Sequence, residues 1–232
     1  MKLGIMQPYF LPYIGYWQLL NAVDTYVIYD DVTFIKSGWI HRNRINVHGA
    51  AQFINVQMQG ASSFSRICDI RVNSDLRWRE KLLQTLTMAY RCAPYYAEVM
   101  SLAENIIMCR EEKLGDFLAH SLYAVAQYLH IDTHIIRSSE WREDSSLHGE
   151  ERVLDICRRF HATEYYNAIG GQELYNKGEF AENGIVLYFL QSDRIIYQQR
   201  KNAVLPSLSI LDVLMENSVS KTQEFLLRYR LV

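Results

Sequence analysis

Four prolines and eleven glycines in 232 residues are too few for a collagen-like repeat or a Pro/Gly-rich disordered chain. The sequence has no basic run long enough to follow a phosphate backbone. Its 24 Lys+Arg against 26 Asp+Glu leave a formal charge of −2, which does not advertise nucleic-acid binding. Cys68, Cys92, Cys109 and Cys157 form no C-x-x-C pair, so zinc and dithiol redox signatures are missing and reduced, buried thiols are expected. The seven histidines include no H-E-x-x-H or other ligand spacing, and a zinc site is not expected. G-x-G-x-x-G, Walker A and G-x-S-x-G motifs are all absent. The apolar start is too short to span a membrane. It runs into Gln7 and Pro8 without the basic flank and cleavage site of a signal peptide, so the expected location is the cytoplasm.

What remains is a globular chain, 49% hydrophobic and 22% charged, long enough to bury a full core as one domain over 1–232. Lys2 to Met6 reads as a buried strand, Tyr13 to Val23 as a helix and Thr25 to Tyr29 as a second strand, which together make a βαβ unit. Two β-like runs between Trp39 and Met58, joined at His48-Gly49, predict an inserted hairpin. Helical spacing over about 75–90, 95–109 and 113–129 predicts a helical subdomain at 75–130. Beyond it come a strand near 133–137, a helix near 149–160 and strands at 164–167 and 184–190. The expected class is α/β with a mostly parallel sheet.

The first strand ends in Gln7-Pro-Tyr-Phe-Leu-Pro-Tyr-Ile-Gly-Tyr16, at the carboxyl end where parallel sheets bind ligands. Pro8 and Pro12 stiffen this loop, and Gly15 would let backbone approach a ligand. Tyr9, Tyr13 and Tyr16 offer stacking faces and hydroxyls. The competing explanation is an aromatic turn packed on the core. Asp30-Asp31 follows the second strand and could supply a general base, although neighbouring residues of a strand point to opposite faces. Lys36, Trp39, His41, Arg42, Asn43 and Arg44 combine cations with a stacking surface suited to a diphosphate bearing a base or sugar. His41 and Asn43 fall on one strand face, Arg42 and Arg44 on the other. Gly170-Gly171 could present backbone N–H groups to an anion or carbonyl oxygen. Ser207, Ser209 and Asp212 form either a phosphate-contacting helix start or a simple cap.

Three segments carry a family resemblance. MQPYFLPYIGYWQLLNAVDTYVIYDDVTFIKSGWIHRNRI resembles the amino-terminal signature of WbqC-like proteins, and EYYNAIGGQELY and LPSLSILDVL resemble two later ones. In LQSDRIIYQQ the proline expected before the tyrosine is missing, so Tyr197 and Gln198 are not carried over as site residues. The resemblance implies a place in bacterial surface-polysaccharide (O-antigen, lipopolysaccharide) synthesis. It also implies a glycine transferase that joins a small amino acid to the amine of a nucleotide-linked 4-amino-4,6-dideoxyhexose. On that reading a dTDP-linked amino sugar is the acceptor, and the activated glycine donor is an acyl-tRNA, a thioester or an ATP-derived adenylate. The near-neutral charge weighs against tRNA. His41, Asp31 or Asp30 would be the base, with the remaining candidates binding substrate. A non-catalytic sugar-nucleotide-binding partner of an assembly complex is the alternative.

The strand–loop–helix start is also similar to the H-x-G-H region of nucleotidylyl transferases and of pantothenate synthetase, implying a HUP/Rossmann-like beginning. Tyr13 and Tyr16 stand where that motif has histidines. Neutral phenols cannot supply imidazolium charge, which counts against a nucleotidylyl transferase.

Overall fold

The computed structural model describes residues 1–141, 146–199 and 205–232. The chain starts with β1 (Lys2–Met6), α1 (Ile14–Asn21) and β2 (Thr25–Ile28), followed by a hairpin of β3 (Arg42–Val47) and β4 (Ala50–Asn55). A short ribbon, β5 (Met58–Gln59) with β6 (Arg71–Val72), leads into α2 (Arg77–Tyr90), α3 (Tyr96–Ile107) and α4 (Leu114–Tyr128). Next come β7 (His134–Arg137), α5 (Gly149–Arg159), β8 (Glu164–Ala168), α6 (Lys177–Glu182) and β9 (Val186–Ser192). The chain closes with α7 (Ile210–Glu216), α8 (Val219–Leu226) and β10 (Tyr229–Leu231).

The main sheet has the order β10-β9-β8-β1-β2-β7, with β10 antiparallel to β9 and every other pair parallel. Counted by appearance in this sheet, the parallel strands run 3-2-1-4-5, the order of a Rossmann-like α/β fold. The chain builds outward from β1 through β2 and β7, then returns to β1's other side with β8 and β9. This reversal opens a crevice beyond the carboxyl ends of β1 and β8, where the loops starting at Gln7 and Ile169 emerge.

Strand alternation sorts the core. Leu3, Ile5 and Val27 face Val153, Leu154 and Cys157 of α5 and Phe180 of α6. Tyr26 and Ile28 join the larger cluster with Trp17 and Leu20 of α1. Helix α1 is buried from Ile14 to Leu20 because it lies between the sheet and α8. Its amide side chain, Gln18, donates to the Phe225 and Arg228 carbonyls at 2.8 and 2.9 Å, satisfying the end of α8. The helices within 75–130 contribute Leu86, Val99, Ile106 and Leu122 to the same cluster as Trp17, so their packing is continuous with the sheet. Each such fully buried aliphatic side chain contributes about 1.5–3 kcal/mol relative to exposure.

The predicted hairpin is present, and its turn residues His48 and Gly49 have φ of 55° and 92°, as a two-residue type I′ turn requires. Helix α8, the β5–β6 ribbon and β10 are additions to what the sequence pattern predicts. Among the described residues no helix is long and apolar enough to cross a membrane.

Candidate functional site

The loop after β1 is held from several directions. Tyr16 donates to the Gln7 carbonyl at 3.1 Å, and Phe10 N–H donates to Ile40 O at 3.0 Å. Asn43 Nδ2 donates to the carbonyls of Phe10 and Leu11 at 3.1 and 2.8 Å, while Ser209 Oγ donates to Leu11 O at 2.8 Å. Leu11 needs that grip because it adopts φ of 46°, a left-handed conformation that a leucine rarely takes. Trp17 Nε1 and Ile210 N–H both donate to Pro12 O at 3.0 Å. The hairpin, α1 and the start of α7 therefore converge on one rigid loop.

A cavity of about 330 Å³ opens beside it, walled by Tyr9, Pro12, Tyr13, Trp39, Asn43, Arg44 and Ser207. Five of these are residues the sequence reading assigned to substrate from separate segments, together with Asn43 on the hairpin's inner face. Arg42 and Arg44 alternate with two rings. The Arg42 guanidinium lies 4.9 Å from the Phe53 centroid, Phe53 stacks on Trp39 at 6.2 Å, and Arg44 lies 5.5 Å from Trp39. Arg42 is spent on the carbonyls of Gly38 and Ser37, at 3.1 and 2.6 Å, so it shapes the turn that presents Trp39. Arg44 Nε is buried and has no hydrogen-bond partner among the described residues. Burial raises the Tyr9 and Tyr13 phenols above their ordinary range, so both face the cavity as neutral hydroxyls.

Tyr13 and Ser207 also wall a second cavity of about 260 Å³, with Asp193, Arg194, Pro206 and Tyr197. Tyr197 donates to Asp212 Oδ1 at 2.6 Å, and Tyr90 donates to Oδ2 of the same carboxylate at 2.6 Å. Asp212 is 1% exposed, and burial raises its carboxyl above the usual range.

A model of the WbqC-like protein family matches residues 7–224, which takes in the tyrosine loop, the hairpin and α7. The chain belongs to the WbqC-like family. It is 28% identical over 215 residues to a protein of Mycobacterium tuberculosis (strain ATCC 25618 / H37Rv) described as "Uncharacterized protein Rv1507c", covering 92% of each chain. No solved structure matches it.

Several expectations change once the side chains of this WbqC-like chain are placed. Asp30 is fully buried and accepts from Arg137 Nε and Nη2 at 2.9 and 2.7 Å and from the Ser139 N–H and hydroxyl at 3.0 and 2.9 Å. Arg137 also pairs with Asp116 at 2.5 Å. Asp30 is spent on these contacts and is a clamp between the ends of β2 and β7. Asp31 pairs with Arg152 and accepts from Ser138 at 2.5 Å. It borders a different cavity of about 290 Å³ with Arg66, His148 and Tyr175. His41 packs against Phe34 in a tilted pair, ring centroids 5.4 Å apart, and does not wall the tyrosine cavity. Burial and then Arg42 lower its pKa, and its Nδ1 is buried without a partner among the described residues.

Gly15 is buried, so it does not bring backbone to a ligand; a Cβ there would lie 2.5 Å from the Tyr13 ring, and glycine makes room for that ring. Tyr16 is buried and spent on Gln7. Ser209 is fully buried and caps α7 through Leu211 N–H at 3.3 Å, leaving Ser207 as the cavity-facing serine. Gly170 is exposed and Gly171 packs against Asn167, both on the 3₁₀ helix Ile169–Leu174 after β8. Lys36 is exposed and outside the cavity wall. Tyr197 is the residue that sequence reasoning set aside. Its hydroxyl meets Asp212, which the later signature LPSLSILDVL contains.

Proposed function

We propose that this WbqC-like protein is a transferase of surface-polysaccharide (O-antigen) biosynthesis. It forms an amide between an activated glycine, or similar small aminoacyl group, and the 4-amino group of a nucleotide-linked 4-amino-4,6-dideoxyhexose. The observation that carries the reading is Arg44: a guanidinium stacked on Trp39 in the wall of a tyrosine-lined cavity, held by Pro206 O at a long 3.5 Å and, at Nε, by no acceptor among the described residues. The outer edge of the guanidinium, with Nη2 3.5 Å from Pro206 O, is only weakly engaged by the protein and can take a charge-assisted bond to a ligand oxygen. A diphosphate is the matching acceptor, because a guanidinium pairs with its oxygens while Tyr9, Tyr13 and Trp39 cover base or sugar.

The two cavities meeting at Tyr13 and Ser207 suit two substrates, a sugar nucleotide in the first and the acyl end of the donor in the second. The net charge of −2 favours a small donor, a thioester or an adenylate, over an aminoacyl-tRNA.

The test is an incubation with dTDP-linked amino sugars and glycine supplied free with ATP-Mg²⁺, as a thioester, or on tRNA, read by product mass. The expected result is the gain of one glycyl group with one class of donor. Saturable sugar-nucleotide binding without any gain would replace the transferase with a non-catalytic partner of an assembly complex.

A further inference from the structure

We infer that Tyr197 and Asp212 are the proton-accepting pair of this site, with Tyr197 Oη touching the attacking amine and Asp212 receiving the proton behind it. The inference rests on the transferase reading above and names the base which that reaction requires.

An amine attacks an acyl carbon only when its nitrogen lone pair is free, and the adduct must then lose a proton. Asp30 and Asp31 are each held in an ion pair, with Arg137 and Arg152, and neither walls the tyrosine cavity. Asp212 differs from both. The groups facing it are the Tyr90 hydroxyl from α2, the Tyr197 hydroxyl and the Asn46 N–H from β3. Among the described residues no Lys, Arg or His pairs with it, and Glu216, on the same helix, is the other acid whose charge reaches Tyr197. Asp212 is therefore a carboxylate held by neutral donors in an apolar setting, which makes it more basic than a salt-bridged one.

Asp212 is sealed from the cavity, but Tyr197 is part of the cavity wall, beside the Tyr13 and Ser207 that the two cavities share. The phenol's proton points to Asp212, so its oxygen lone pairs are what it offers on its other side. Gln199, two residues on, is anchored on Leu205 N and O, each at 2.8 Å, which ties this stretch to the start of the α7 segment, and the Tyr197 oxygen keeps its lone pairs for an incoming N–H. A purely architectural Tyr–Asp–Tyr clamp would be equally well served if both phenols were enclosed. Tyr90 is enclosed, with its oxygen accepting from Asn46 N–H at 3.2 Å, and Tyr197 is the one that reaches the cavity.

The step balances without another reagent. The sugar nitrogen bonds to the acyl carbon, and the bond from that carbon to its carrier breaks with the electron pair leaving on the carrier. The proton lost by nitrogen moves to Tyr197 Oη as the phenol's own proton moves to Asp212 Oδ1.

The experiment compares wild type with Tyr197→Phe and Asp212→Asn, measuring amide formation by product mass, sugar-nucleotide Kd by calorimetry and the pH profile of kcat. Phenylalanine keeps the ring that packs on Phe225, and asparagine keeps the size of the side chain and an acceptor oxygen for one of the two phenols. The expected result is a kcat lowered about 10²–10⁴-fold in Tyr197→Phe, with little change in Kd, and loss of the acid limb of the wild-type profile. A Tyr197→Phe protein with wild-type kcat and an unchanged acid limb overturns the pair as base. So does a variant whose losses are confined to stability and Kd. If wild type itself makes no amide from any donor yet binds the sugar nucleotide, the transferase reading falls and takes this inference with it.

Discussion

Asn43 Nδ2 lies 2.8 Å from the carbonyl oxygen of Leu11, so the inserted hairpin holds the strained residue of the loop that follows the first strand. Asn43 Oδ1 accepts from the Arg44 N–H at 2.8 Å, which links this grip to the arginine of the cavity. Asn43→Leu removes both donors to the loop while keeping the branched shape of the side chain. It is expected to cost about 1–3 kcal/mol of stability, by urea denaturation, and to weaken sugar-nucleotide binding even where the protein is fully folded. Unchanged affinity would separate the loop's conformation from ligand binding.

Arg44→Lys keeps a charge but lacks Nε and the planar face that stacks on Trp39. Affinity for a dTDP-linked amino sugar should fall on the order of tenfold or more, with Arg44→Gln weaker still and less salt-sensitive than wild type. Titration calorimetry at two ionic strengths reads both effects, and a lysine variant that binds as wild type would detach Arg44 from the diphosphate.

Gly15→Ala sets two effects against each other. Alanine favours a helix by about 1 kcal/mol over glycine, yet its Cβ would sit 2.5 Å from Tyr13 Cε2. Because Tyr13 walls both cavities, the ring's displacement should lower kcat/KM by a larger factor than stability alone explains. The check is thermal unfolding beside turnover; normal turnover would mean the Tyr13 position is not demanding.

Arg137→Met leaves Asp30 buried without its cation. Removing one partner of a buried pair costs about 3–5 kcal/mol, so the denaturation midpoint should drop sharply. Asp30→Asn with Arg137→Met should recover part of that loss, since the uncompensated charge is then gone. No recovery would assign the effect to packing.

His41 carries a pH dependence whose sign follows from burial. Its folded pKa lies below the ordinary 6.5, so the unfolded chain takes up the proton first as pH falls. Its contribution is present above pH 6.5 and is lost as pH drops through that value toward the folded pKa. His41→Phe should flatten this part of the stability profile between about pH 7 and 5, measured by chemical denaturation at each pH. An identical slope in the variant would show that His41 does not titrate differently on folding.

Local pattern was enough for β1, the tyrosine loop, α1, β2 and the hairpin turn at His48-Gly49, because hydrophobic period and turn chemistry act between near neighbours. The same locality makes Tyr9, Tyr13, Trp39 and Arg44 recognisable as candidates, since aromatic and cationic side chains are crowded within short segments. It could not assign their partners. Asp30 and Asp31 look like free acids in sequence, and become clamps only because the sheet order sets them beside Arg137 and Arg152, 107 and 121 residues further along the chain. Gly15 reads as an opening for backbone until the Tyr13 ring is found lying over it. Tyr197 and Asp212 belong to segments whose local sequence gives no reason to join them to each other or to Tyr90. Close packing of α2, α7 and the chain beyond β9 brings three ionisable side chains to one point, and whether a carboxylate meets a guanidinium or a phenol there depends on the crossing of those elements.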